Sequence, residues 1–329
     1  MLQVTHTPPA VEVGAGAQAR PALSVVVPVC NEEGSVHPLV RELVAVLEGI
    51  GVTYEIVLVD DGSRDATWEQ ITRLAAAMPA VIGVSLSRNF GHQRALLAGL
   101  QLARGQAVVS MDGDLQHPPE LIPSLYEAWR QGYKVVNTQR RDEEVASAFK
   151  RFTSRYFYKL FSVLAEVPMA EGNSDFRLLD RTAVDALVNL KAAELFLRGA
   201  VQWLGLPATV VPFQPERRIH GSSKYTLRKM LSFAGDAIIS FSTKPLRIGI
   251  WLGIATSLLA FVEIAYVLAR YFRGETVSGW ASTVGILSFL FGVLFIILGI
   301  IGSYLAWIHQ SLQNRPTVII RDSVNLPRT

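Results

Sequence analysis

Leu23-Ser24-Val25-Val26-Val27-Pro28-Val29 is the stretch on which the fold turns. Four of its seven residues are valine, whose branched Cβ suits a pleated strand. A continuous apolar run of this length reads as a strand buried on both faces. From Ser35 to Gly49 the spacing changes, and Val36, Leu39, Val40, Leu43 and Leu47 fall on one side of a helix. The alternation then repeats. Glu55 to Asp60, Val81 to Leu86 and Ala107 to Asp112 read as buried strands, with helices over Thr67 to Ala77 and Gly91 to Ala103 between them. Strand–helix alternation of this kind predicts an α/β fold, a mostly parallel sheet covered by helices.

In such a sheet ligands bind beyond the carboxyl ends of the strands. Each of these strands runs into polar or acidic residues: Asn31-Glu32, Asp60-Asp61, Ser87-Arg88 and Asp112-Gly113-Asp114. The site can therefore be located before it is named. The three spaced glycines of a dinucleotide fingerprint are missing after the first strand, which argues against a nicotinamide enzyme. Asp112 and Asp114, one residue apart in an extended segment, would point the same way, and Gln116 would add a carbonyl oxygen on that side. Oxygen ligands in that pattern suit a divalent cation. An Asp-x-Asp triplet taken alone is more often a surface turn than a metal site.

Further along, Phe149 to Leu164 places Phe149, Phe152, Tyr156, Leu160 and Leu164 on one helical face with Lys150, Arg151, Arg155 and Lys159 around them. Tyr225 to Phe241 repeats the pattern beside Lys224, Arg228 and Lys229. Both read as helices lying on a membrane surface or packed on the core. Half of the chain is hydrophobic and only 18% charged, and the excess lies after residue 245. Leu246 to Leu268 and Thr283 to Ile308, interrupted beyond Arg247 only by Glu263, are long enough to span a bilayer, for which ~20 helical residues suffice. Lys244 and Arg247 at the start of the first span, and Arg315, Arg321 and Arg328 after the second, put both ends in the cytoplasm, against the weaker vote of Arg270 and Arg273 in the loop. A net charge of +3 gives no support to nucleic-acid binding. The single cysteine, Cys30, excludes an internal disulfide and a cysteine zinc site. Residues 1–20 lack a basic start and a long apolar core, so they read as a flexible tail, not a secretory signal.

Four runs in order carry a resemblance: Val27-Pro28-Val29-Cys30-Asn31-Glu32, Val59-Asp60-Asp61-Gly62-Ser63, Asp112-Gly113-Asp114-Leu115-Gln116-His117-Pro118-Pro119-Glu120, and Arg218-Ile219-His220-Gly221-Ser222-Ser223-Lys224-Tyr225. Together they resemble glycosyltransferase family 2, in the branch of dolichyl-phosphate mannose synthases and bacterial polyprenyl-phosphate glucosyltransferases. The resemblance implies a GT-A catalytic domain over 21–223, a juxtamembrane amphipathic helix over 224–245, a two-helix membrane region over 246–308 and a cytoplasmic tail with a short strand over 309–329. It implies an inverting transfer, dependent on Mg²⁺ or Mn²⁺, from a nucleotide sugar to a polyprenyl phosphate at the cytoplasmic face of the bacterial inner membrane. UDP-glucose is the expected donor, with GDP-mannose and a UDP-linked amino-arabinose derivative as alternatives.

The same resemblance assigns roles. Pro28, Cys30, Glu32, Asp60 and Asp61 would line the nucleoside pocket, Cys30 standing where some relatives have an aromatic residue and reading equally as a small buried hydrophobe. Asp112, Asp114 and Gln116 would hold the metal and the diphosphate. Asp175 would stand near the acceptor phosphate, as a base or an orienting group, or would simply pair with Arg177. Arg218 and Lys224 would grip the donor diphosphate and close a loop over it, Gly221 lending flexibility. Arg151 and Arg155 would attract the lipid phosphate or anionic headgroups. A processive polysaccharide synthase fits less well, because Gln202-Trp203 lacks the spacing of its Gln-x-x-Arg-Trp motif and two spans are too few for a channel. A non-catalytic scaffold is disfavoured by the intact acidic runs. Pro316 to Arg321 reads as a short strand able to join a neighbouring subunit's sheet, which leaves a homo-oligomer open.

Overall fold

The computed structural model describes residues 20–140, 173–190, 196–213, 242–274, 279–313 and 315–327. Four strand–helix units open the chain. They are β1 (Leu23–Val29), α1 (Val36–Ile50), β2 (Tyr54–Asp60), α2 (Thr67–Ala77), β3 (Val81–Leu86), α3 (His92–Leu102) and β4 (Ala107–Ser110), followed after a short 3₁₀ turn by α4 (Ile122–Arg130). Then come β5 (Val135–Arg140), β6 (Asn173–Asp180), α5 (Arg181–Val188), α6 (Leu197–Trp203) and β7 (Ala208–Phe213). Two long helices, α7 (Lys244–Phe272) and α8 (Trp280–Leu312), precede a last strand, β8 (Ile320–Val324).

The strands form one sheet in the order β7-β5-β6-β4-β1-β2-β3-β8. The block β4-β1-β2-β3 is parallel, as the strand–helix alternation requires, whereas β6 and β8 run antiparallel to their neighbours. Burial of β1 explains the valines: Val25, Val27 and Val29 pack with Val36, Leu39 and Leu43 of α1, while Val26 faces Leu96 and Leu100 of α3 on the opposite side. Period-two alternation has thus divided one apolar run between two cores.

Three sequence readings need correction. β4 ends at Ser110 and not at Asp112, because its pairing with β6 stops at Ser110 opposite Arg177. The terminal strand is β8, Ile320–Val324, and it pairs with β3 of its own chain. β3 is otherwise an open edge, and only residues 313–319 separate the strand from α8, so the chain covers its own edge. The tail over 309–329 therefore contributes to the catalytic sheet. Finally, α7 starts at Lys244, inside the segment assigned to the juxtamembrane helix. The remainder of that segment, Tyr225 to Phe241, and the helix read over Phe149 to Leu164 lie outside the described residues.

α7 and α8 are both long and apolar enough to cross a membrane. They pack on each other, with Ile297 Cγ2 3.8 Å from where a Cβ on Gly249 would stand and the Tyr304 hydroxyl donating to the Ser242 carbonyl at 2.7 Å. Large side chains such as Trp251, Phe261, Phe272 and Phe295 remain exposed along them, a surface far more apolar than water tolerates in a contiguous patch.

Candidate active site

The carboxyl ends of β1, β2 and β3 build one half of the site. Asp60, at the end of β2, is fully buried: its Oδ1 accepts from the Ser63 amide at 3.0 Å and its Oδ2 from the Ser85 hydroxyl at 2.9 Å. Asp61 accepts from the Phe90 and Gly91 amides at 2.7 and 3.0 Å, tying the end of β2 to the entry of α3. Gly62 between them is obligatory in two ways, since φ is +67° and a Cβ there would stand 2.4 Å from the Arg88 carbonyl carbon. Pro28 is buried within β1. The Cys30 thiol receives the Asn89 amide at 3.2 Å, and burial pushes its pKa up. Glu32 accepts from the Ser35 hydroxyl at 2.8 Å at the start of α1. These residues are brought together as the sequence anticipates, but Asp60 and Asp61 spend their carboxylates on shaping the loops.

The other half grows from β4. Beyond Ser110 the chain leaves the sheet, and Leu115 adopts a left-handed φ of +61°. The Asp114 carboxylate folds back to accept from the Gln116 amide at 3.2 Å. Asp112 and Asp114 are thus gathered by a tight loop and not by strand alternation. Gly113 lets the loop lie against β1, where a Cβ would be 2.6 Å from Val29 Cγ1. His117 fixes the loop from below: its Nδ1 accepts from the Asp112 amide at 3.0 Å, so the proton sits on Nε2, which faces Ser174 Oγ at 2.8 Å. Burial lowers the His117 pKa, in keeping with a neutral ring stacked 5.1 Å from Phe176.

Asp112 Oδ1 is buried and has no hydrogen-bond partner among the described residues. Burial raises this carboxyl's pKa against the pull of two imidazoles, His117 and His92. His92 Nε2 lies 3.3 Å from Asp112 Oδ1 and 3.7 Å from Asp175 Oδ2. Burial by itself would lower the His92 pKa, but the carboxylates of Asp175 and Asp112 outweigh it and hold it above the ordinary value. A buried carboxylate oxygen that makes no hydrogen bond, on a loop that also carries Asp114 and Gln116, fits a hard divalent cation. Among the described residues no three His, Cys, Asp or Glu side chains form a closed cage, so the remaining ligands would have to come from Gln116, the diphosphate and water.

Asp175 stands on β6, 3% exposed. Arg198 Nε and Nη2 grip its two oxygens at 2.9 and 2.7 Å, Arg177 adds a contact to Oδ1 at 3.1 Å and Gln93 reaches Oδ2 at 3.4 Å. Burial opposes ionisation of Asp175, yet Arg198 and its neighbours hold the carboxyl well below the usual range. Arg177, also buried, is pushed down to about 10. The pairing with Arg177 that the sequence allowed is present, and a second arginine joins it.

Arg151, Arg155, Arg218 and Lys224 lie outside the described residues. Sequence reasoning missed His92, Gln93, His117, Ser174 and Arg198. His117 was within reach, since it follows Gln116 directly in the acidic run and precedes two prolines. Arg198 gave no signal, being 23 residues from its partner and carried by a different element.

The model of glycosyl transferase family 2 matches residues 24–188, which span β1 through α5 and hold every acidic residue described above. The chain belongs to glycosyltransferase family 2. Its fold is accordingly the GT-A arrangement, and it is a glycosyltransferase. Relatives of similar length agree. An uncharacterised glycosyltransferase, YkcC, of Bacillus subtilis is 38% identical over 92% of this chain and 94% of its own. The SfII prophage-derived bactoprenol glucosyl transferase of Shigella flexneri is 36% identical over 92% of this chain and 98% of its own. A prophage bactoprenol glucosyl transferase homologue of Escherichia coli is 36% identical over 91% and 98%. Among solved structures, glucosyl-3-phosphoglycerate synthase of Mycobacterium tuberculosis, in complex with Mn²⁺ and UDP, matches 68% of this chain and 78% of its own at 19% identity and a TM-score of 0.46.

Proposed function

We propose that this family 2 glycosyltransferase is a membrane-anchored enzyme that moves a sugar, with inversion, from UDP-glucose to a polyprenyl phosphate at the cytoplasmic face of a bacterial membrane. The observation that carries the reading is the buried Oδ1 of Asp112 at the carboxyl end of the sheet, which makes no hydrogen bond and has the His92 imidazole at 3.3 Å, on the loop that also carries Asp114 and Gln116. The acceptor is supported by the two apolar helices and by relatives named as bactoprenol glucosyl transferases. Mg²⁺ or Mn²⁺ bound by Asp112, Asp114 and Gln116 would supply neutralising charge for the departing nucleoside diphosphate.

The chain's own groups do the rest. The ends of β1 and β2, with Pro28, Cys30, Glu32 and Asp61, receive the nucleoside, and the fully buried Asp60 shapes the pocket beneath them. A phosphate oxygen of the acceptor, already ionised near neutral pH, attacks the anomeric carbon as the bond from that carbon to the diphosphate oxygen breaks, and the sugar inverts. No strong base is required, and Asp175, ionised with both oxygens bound to arginine, is poorly placed to take a proton. It acts instead as a positioning residue, turning Arg198 towards the acceptor. Arg151 and Arg155 would draw the lipid phosphate to the site, and Arg218 with Lys224 would close over the diphosphate.

The test uses the full chain in detergent with a short polyprenyl phosphate, labelled sugar nucleotides and either metal. Label from UDP-glucose entering the organic phase, lost with EDTA, is the expected result. Label from GDP-mannose or the amino-arabinose donor would move the donor assignment, and no label from any donor would reject the acceptor.

A further inference from the structure

β8 does more than cover the edge of the sheet. Along its ladder with β3, Asp322 stands opposite Ser85 and Ile320 opposite Leu86, so Arg321 is the extra residue of a bulge. A bulge releases one side chain from the regular alternation and re-aims it, a device common beside active sites. Arg321 uses that freedom to reach across β3. Its Nη2 donates to Ser85 Oγ at 2.8 Å and lies 3.9 Å from Asp60 Oδ2, while half of the side chain, 49%, stays exposed.

The anchor of this strand is firm. The Ser87 amide donates to the Ile319 carbonyl at 2.8 Å, and the Asn325 side chain donates to the carbonyls of Ala75 and Val81 at 2.6 and 2.9 Å. Position matters as much as contact. Ser85 lies on β3, two strands from β1, against which the Asp112 loop rests, and neighbouring strands are ~4.8 Å apart, so the guanidinium bonded to Ser85 sits about 10 Å across the sheet from that loop. A diphosphate held at that loop would place its nucleoside at this distance. Asp60 itself is fully buried and presents no surface to a ligand, which leaves the exposed cation above it to make the contact.

We infer that Arg321 is a donor-site residue, its guanidinium donating to the acceptor atoms of the nucleoside in a nucleoside diphosphate sugar. The pocket is then completed by a strand that follows the two long helices, with residues 313–319 as the whole connection to α8. Seven extended residues reach at most about 25 Å, so donor binding is held close to the membrane end of the molecule. This inference rests on the donor site proposed above.

Titration of the full chain in detergent with UDP and GDP, and competition by inorganic diphosphate, tests it. For the nucleotide that the native protein binds, Arg321→Ala is expected to weaken Kd at least tenfold and to raise the donor KM. The affinity for inorganic diphosphate and the KM for polyprenyl phosphate should stay unchanged, and Arg321→Lys should recover part of the loss. Arg321→Gln, which keeps a donor for Ser85, guards against unfolding of β8 and should weaken nucleotide binding without moving the melting temperature. Unchanged nucleotide affinity in both variants, or an equal loss of inorganic diphosphate, overturns the role of Arg321 alone. Failure of the native protein to bind either nucleotide overturns the donor site as well.

Discussion

Arg198 holds Asp175 by two parallel hydrogen bonds, Nε to Oδ1 at 2.9 Å and Nη2 to Oδ2 at 2.7 Å, and so joins the start of α6 to the middle of β6. Arg177 also contacts Oδ1, so two guanidinium groups meet on one carboxylate. Removing one member of a buried ionic pair typically costs ~3–5 kcal/mol because the other is left uncompensated. Arg198 is 39% exposed, so its share must be discounted for solvent. Residues that act as a unit also lose function non-additively. Asp175→Ala and Arg198→Ala are each expected to lower kcat/KM for the acceptor by about a hundredfold, and the double variant to be little worse than either. Independent, multiplying losses in the double-mutant cycle would show that Asp175 works on substrate by itself.

Asp112 carries the opposite signature. Its Oδ1 is buried without a hydrogen bond, beside the His92 imidazole at 3.3 Å, a cost that a bound cation would offset. Asp112→Asn should therefore leave the metal-free protein as stable as the native one, or slightly more so. Native protein should gain melting temperature on adding Mn²⁺ together with UDP, because a ligand that binds only the folded state stabilises it by mass action. The variant should lose that gain along with turnover. A native-sized shift in Asp112→Asn would remove Asp112 from the metal site.

The parallel half of the sheet was legible because its signals are local. Valine runs mark β1, helical spacing marks α1, and polar strand ends mark the ligand face. β5, β6 and β7 were not read, since their pairing depends on partners remote in the chain, such as Arg177 opposite Ser110. The same distance hid Arg198 and Arg321, whose partners lie 23 and 236 residues away. The acidic loop was read from its residue types and from strand alternation, whereas the left-handed Leu115 and the His117 prop are what gather Asp112 and Asp114.

Asp180 offers a stability test outside the site. Burial works against its ionisation, but the Thr182 hydroxyl and amide, the Trp129 indole and Lys134 together bring its pKa down to about 2. A depressed carboxylate stabilises the fold above its unfolded pKa of ~3.9 and loses that contribution as pH falls through the folded value. The difference corresponds to about 2–3 kcal/mol at pH 7. Asp180→Asn should thus lower the melting temperature clearly at pH 7, and the gap from the native protein should narrow by roughly half at pH 3. A gap independent of pH would mean that the aspartate acts through shape and not through charge.

Gly113 and Val29 make the most specific packing prediction. A methyl at residue 113 would stand 2.6 Å from Val29 Cγ1, so Gly113→Ala must push either the valine or the acidic loop aside. Overpacking of this kind usually costs ~1–3 kcal/mol, and here the part free to move is the loop, because Val29 is locked in the central strand. The expected loss is therefore mainly catalytic, a fall in kcat with smaller change in stability. Because the obstacle is a side chain, it can be removed. Val29→Ala combined with Gly113→Ala should recover activity relative to Gly113→Ala alone, even though Val29→Ala by itself opens a cavity and destabilises the core. The Gly62 position provides the contrast, since there a Cβ meets the backbone of Arg88 and Asn89 and φ is already positive, so no truncation of a neighbour can relieve it. If the double variant is as inactive as Gly113→Ala, Val29 is not what sets the position of the loop.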